Sequence, residues 1–123
     1  MAVAQHYKFS ELHEEWLNDK LSRRLVVGEN EMLGYVFLKK GCVVPMHHHV
    51  SEQITIILKG ALTFTIDGAE TTVKEGEALV IPPNVAHSAV ALEDTVDIDC
   101  FSPLRDDWLK GEDQYLRNKP NTG

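Results

Sequence analysis

The chain is poor in cysteine, in positive charge and in long apolar runs, and each shortage removes a class of protein. Two cysteines, Cys42 and Cys100, among 123 residues cannot make a disulfide scaffold. They lie far apart in β-type surroundings, and no basic-then-apolar leader is visible in the opening MAVAQHYKFSELHEEW. Reduced, buried, structural thiols are expected, and with them a cytoplasmic location. No apolar run approaches the roughly 18 residues of a membrane-spanning helix. Lys and Arg number 12 against 19 Asp and Glu, a net charge of −7. That balance disfavours nucleic acid and anionic lipid as partners. It leaves room for a small anionic ligand, because a pocket can be positive inside an acidic protein.

What remains is an ordinary globular composition, 43% hydrophobic and 25% charged. The length fits one domain, 1–123, with a core over about 21–109. Ser10 to Leu17 reads as a short helical turn capped by Ser10. From Leu21 to Val27 apolar and basic residues mix, and Gly28-Glu29-Asn30 supplies a turn. Strand patterns then recur between evenly spaced turn signals. They cover Met32–Lys40, Gln53–Leu58, Ala61–Ile66, Glu70–Lys74, Ala78–Ile81, Val85–Leu92 and Thr95–Phe101. Asp67-Gly68 has hairpin chemistry, and Asp106 to Leu109 reads as a terminal helical turn. Asn118 to Gly123 reads as a frayed end. Many short strands with regular turns predict an all-β sandwich or small barrel.

The stretch GCVVPMHHHVSEQITIILKG, Gly41 to Gly60, concentrates the chemistry. On a strand, residues two apart share a face, so His47 and His49 can present two imidazoles to one point while His48 turns away. His87 follows the stiff turn Pro82-Pro83-Asn84. Three neutral imidazoles suit a divalent transition ion, and the Gln53 carbonyl oxygen can add a fourth ligand. His6, His13 and His48 fit no such pattern and read as ordinary surface or core residues.

Gly41-x5-His47-x-His49-x3-Gln53-x6-Gly60 resembles the first motif of the cupin superfamily, G-x5-H-x-H-x3,4-E-x6-G. Gly76-x5-Pro82-x-Asn84-x2-His87 resembles the second, G-x5-P-x-G-x2-H-x3-N. The departures are Gln53 for Glu, Asn84 for Gly and Ala91 for Asn. The resemblance implies a double-stranded β-helix, or jelly roll, with one metal ion (Ni, Zn, Fe, Co, Mn or Cu) inside one mouth. Its ligands would be His47, His49, Gln53 and His87. Glu52 is the alternative fourth ligand, but a one-residue step turns a side chain to the opposite face. Small cupins commonly pair through sheet edges, and an open edge strand must be covered, so a homodimer is expected.

The segments Pro82 to Ala89 and Asp99-Cys100-Phe101-Ser102-Pro103-Leu104-Arg105 further resemble the KdgF-type cupins of pectin and alginate breakdown. Those convert ring-form 4,5-unsaturated uronates to linear 4-deoxy-5-keto sugar acids. The resemblance implies Asp99 as acid/base, Arg105 as a bidentate partner of the substrate carboxylate, and Phe101 as a pocket wall. Without it, Asp97 and Asp99 would read as a solvated strand face, and Arg105 as half of a surface ion pair with Asp106 or Asp107. Trp16 and Trp108 read as packing residues near the chain ends. A redox-metal dioxygenase and a nonenzymatic sugar- or metal-binding cupin are the competing expectations.

Overall fold

The computed structural model describes residues 3–117. Among them ten strands form two antiparallel sheets. In chain order they are β1 (Glu15–Asn18), β2 (Leu21–Val27), β3 (Met32–Leu38), β4 (Val43–His47) and β5 (Glu52–Lys59). Then come β6 (Ala61–Ile66), β7 (Ala69–Lys74), β8 (Ala78–Ile81), β9 (His87–Ala91) and β10 (Thr95–Ser102). A one-turn helix, α1 (Asp106–Leu109), and a 3-10 turn at Gln114–Leu116 follow. One sheet runs β1-β2-β3-β10-β5-β8 and the other β4-β9-β6-β7. The crossovers between the sheets make a jelly roll.

Alternation with period two decides what faces inward. Along β3 and β10 every second residue is buried, from Met32 to Leu38 and from Thr95 to Phe101. Leu38, Ile57, Leu62 and Phe64 join from both sheets to form one core. Each such side chain contributes about 1.5–3 kcal/mol on burial. The core also takes in Leu17 and Leu116, which lie outside the expected span of 21–109.

The turns follow their sequence signals. Asp67 (φ 52°) and Gly68 (φ 76°) are both left-handed, which is the hairpin turn that joins Ile66 to its partner Ala69. Asn84 adopts φ 63°, so it fills the position where the cupin pattern has Gly without leaving that conformation. Its N–H donates to the His49 carbonyl at 2.8 Å, which ties the loop of the first motif to the turn of the second.

Several expectations are corrected. The helical turn predicted over Ser10 to Leu17 shrinks to Phe9–Glu11, with Ser10 inside it rather than capping it. Trp16 and Leu17 are in β1 instead, because an isolated turn is unstable while pairing with β2 buries Leu17. The strand expected over Met32–Lys40 stops at Leu38, and the one expected from Val85 starts at His87. Cys42 is buried, whereas Cys100 is half-exposed on the outer sheet face, and neither is in a disulfide. Asn118 to Gly123 lie outside the described residues. Among the described residues no helix is long and apolar enough to cross a membrane.

Candidate metal centre

His47 closes β4 and sits directly opposite His87, which opens β9. His49 lies two residues past the end of β4, so the expected strand geometry does not bring it in. The loop does, held by the bond from Asn84. The three imidazoles offer ligand nitrogens that all lie within 4.8 Å of one another.

Each ring is oriented by a backbone carbonyl. His47 Nδ1 donates to Pro45 O at 2.8 Å, His49 Nδ1 to Ser51 O at 2.9 Å and His87 Nδ1 to Val85 O at 2.8 Å. A carbonyl can only accept, so Nδ1 carries the proton in all three. In the neutral ring Nε2 is then a bare lone pair. The rings are held neutral: burial pushes His47 down to about 3 and His49 to about 4, with the Arg105 charge adding to it. His87 is lowered by the same two causes. Its buried Nε2 has no hydrogen-bond partner.

Gln53 faces inward on β5 and is buried, while Glu52 is exposed on the opposite face. The strand parity that favours Gln53 over Glu52 is what the structure has. Thr55, two residues on, donates its only hydroxyl proton to Asp99 Oδ1 at 2.7 Å. It must therefore accept from Gln53 Nε2, at 2.8 Å. This fixes the amide, with Oε1 turned to His49 Nε2 at 3.1 Å. Two lone pairs meet there, an arrangement that a cation would relieve. Three imidazole lone pairs and an amide oxygen fit a divalent transition ion.

Behind this cluster lie two carboxylates. Asp97 and Asp99 share the inner face of β10, only 3% and 8% exposed, so they are not on a solvated face. Burial first, and then the Asp99 charge, raise Asp97 well above the carboxylate range. Burial lifts Asp99 to about 6, opposed by the Thr55 hydrogen bond and the Arg105 charge. Asp97 thus holds the proton of the pair, and Asp99 is the member that ionises.

Arg105 is buried, not half of a surface pair. Its Nε and Nη2 grip Asp107 Oδ1 and Oδ2 at 2.9 and 2.7 Å, and Nη2 also donates to the Tyr115 hydroxyl at 2.8 Å. The expected free fork is therefore closed, because a buried cation needs a partner. Only Nη1 is left over. Phe101 is buried beneath, edge-on to His49 and to Trp108. His47, Gln53, His87, the two carboxylates, Phe101 and Arg105 line one cavity, with about 50 Å³ open to the centres of water molecules.

Three participants carried no clear sequence signal. Thr55 shares the parity of Gln53 but is an ordinary strand residue by type. Trp108 does pack, as expected, but also lines the cavity. Tyr115 lies beyond the expected core, yet its ring stacks on His47 at 4.6 Å. His6, His13 and His48 are exposed.

The family described as Cupin domain matches residues 34–101, more than half of the chain. The chain belongs to the cupins. Among curated proteins, this cupin is 33% identical over 98 residues to the pectin degradation protein KdgF of Dickeya dadantii (strain 3937), covering 77% of this chain and 89% of that protein. Among solved structures, KdgF from Halomonas sp. superposes with a TM-score of 0.81 at 30% identity, over 86% of this chain and 99% of that one. An RmlC-like cupin from Shewanella frigidimarina NCIMB 400 superposes at 0.79 and 26% identity, over 85% and 96%.

Proposed function

We propose that this cupin is a metal-dependent isomerase that opens ring-form 4,5-unsaturated uronates to linear 4-deoxy-5-keto sugar acids. The observation that carries the reading is the convergence of three bare imidazole Nε2 atoms and the Gln53 oxygen beside a buried carboxylate and a buried Arg. The likeness to two KdgF proteins supplies the substrate class.

A divalent ion held by His47, His49, His87 and Gln53 would act as a Lewis acid toward substrate oxygens. Asp99 takes the proton of the anomeric hydroxyl. The C1–O5 bond then breaks, C1 becomes the aldehyde, and the ring oxygen keeps the bonding pair on C5 as an enolate. A proton delivered to C4 converts the enolate to the 5-ketone. One proton leaves oxygen and one arrives at carbon, so no co-reactant is needed. Asp99 suits the task because it is within reach of ionisation and held by Thr55. Arg105 Nη1 binds the substrate carboxylate, as a single donor rather than the two expected. Phe101 supports the Arg105 guanidinium, 5.0 Å above its ring. An all-neutral ligand set provides no carboxylate base on the metal, which weighs against the dioxygenase reading.

The reading extends to a cytoplasmic homodimer. Neither cysteine is in a disulfide, as a reducing compartment would keep them. The outer face of β5 and β8 exposes Ile54, Ile56, Leu58 and Val80, a natural seat for a second copy.

The test is direct. Metal-loaded protein incubated with unsaturated uronate should accelerate loss of the enol-ether absorbance. Asp99→Asn, with metal content unchanged, should lose about 100-fold or more of that rate. No acceleration by the wild-type protein above the spontaneous rate would overturn the proposal.

A further inference from the structure

The C-terminal segment after β10 folds back over the metal mouth and brings hydrogen-bond donors with it. Asp113, fully buried, anchors it by accepting from Arg23 Nη1 at 2.6 Å and from Arg117 Nε at 2.7 Å. Leu116 enters the core beside it. Between them Tyr115 is laid flat on the His47 ring, with an interplanar angle of 27°.

The surroundings of the phenol oxygen decide what it can do. Arg105 Nη2 donates to it from one side. With that donor behind it, the Tyr115 hydroxyl has its own proton to give, and the residue lines the cavity. Trp108 Nε1 is buried and has no hydrogen-bond partner. Arg105 Nη1 takes no part in that side chain's bonds to Asp107 and Tyr115. Three donors thus meet at one wall of the cavity, and the one from Trp108 is unpaired. A buried unpaired donor costs free energy, so such a wall favours an oxygen ligand with negative charge.

We propose that Tyr115 and Trp108, with Arg105 Nη1, form the subsite for the carboxylate of the sugar acid. Tyr115 and Trp108 are then recognition residues that select acid sugars over neutral ones. This rests on the uronate reading for the sugar, but not for the reaction. The stacking of Tyr115 on His47 sets this subsite beside the metal ligands.

Calorimetric titration of the metal-loaded protein with galacturonate, a saturated probe that cannot react, tests this against galactose. The wild-type protein should bind galacturonate more tightly than galactose. Tyr115→Phe keeps the stacked ring and should weaken galacturonate binding by about 10-fold, the usual effect of losing a hydrogen bond to a charged group. Trp108→Phe should act in the same direction. Neither should change galactose binding or metal content. With unsaturated uronate, Tyr115→Phe should raise KM more than it lowers kcat. Equal binding of the two sugars by the wild-type protein, or galacturonate affinity unchanged in both variants, would overturn the subsite. Tyr115-dependent galacturonate binding by a protein that fails to consume unsaturated uronate would uphold the subsite and remove the reaction instead.

Discussion

Gln53 is where this chain departs most consequentially from the common cupin pattern. An amide adds an oxygen to the cluster without adding a negative charge. It also has an N–H, and that N–H orders the next two groups, Thr55 and Asp99. A glutamate here would leave Thr55 with one proton and two carboxylates competing for it. Gln53→Glu should therefore keep its metal but slow linearisation by about 10-fold or more, since the cation is partly neutralised and Asp99 loses part of its hydrogen bond. Metal analysis alongside the absorbance assay reads both parts, and an equal rate would refute the argument. Asp99 makes a second prediction at this scale, through stability. Its folded pKa, about 6, lies above the ordinary 3.8, so burial disfavours its ionised form. The stability linked to its proton is present below the ordinary value and is lost as pH rises through the folded one. Asp99→Asn cannot ionise. In metal-free protein it should be more stable than the wild type at pH 8, on the order of 2 kcal/mol. The advantage should disappear by pH 3.5, where thermal unfolding of the two should coincide. The inward parity of Gln53 and Asp99 was legible in the sequence, because period two fixes a face. The closing of Arg105 onto Asp107 was not, since the sequence does not reveal that this Arg is buried.

At the scale of elements, the turns were the most legible part and the chain ends the least. Asp67-Gly68, Gly60 and Asn84 announce left-handed backbone by residue type alone. Gly60 does so with an added constraint, because a Cβ there would lie 2.6 Å from the Asp94 carbonyl oxygen. His49 shows the limit of strand reasoning. Its place in the cluster comes from a loop pinned by Asn84, a tertiary contact that no local pattern encodes. The same holds for the C-terminal segment, which adds Trp108 and Leu116 to the core. It is also held by charge, through Arg23, Asp113, Arg117 and Glu15. Arg23 is wholly buried and lies 4.4 Å over the Trp108 ring. Removing its buried partner leaves a cation that only Glu15, near the surface, can balance. Asp113→Ala should therefore cost about 3 kcal/mol in urea unfolding, far more than the roughly 0.5 kcal/mol of a surface change. A cost within that surface range would mean the segment is held by Leu116 and the aromatic stack alone.

Across the whole molecule, the two faces of the six-stranded sheet have different fates. The inner face carries the cavity. The outer one brings apolar side chains together by register: Ile54 opposite Val80 and Cys100, and Ile56 opposite Ile98. Val80 is 55% exposed and Leu58 44%, on a sheet whose edge strand, β8, has only four residues. An acidic chain that repels its own copies at long range still gains from covering such a face, because apolar contact is short-ranged and insensitive to salt. In the proposed dimer a second copy would meet this face with the same apolar surface, as a two-fold interface requires. Ile56→Lys would set two like charges near the centre of that contact. It should convert a dimer to a monomer in sedimentation or scattering experiments. The same substitution should leave metal content unchanged and kcat/KM within about two-fold, because outward residues of β5 do not touch the cavity that Gln53 lines from the other side. A wild-type monomer at micromolar concentration would sink the dimer, and a lysine variant that stays dimeric would move the interface to another face.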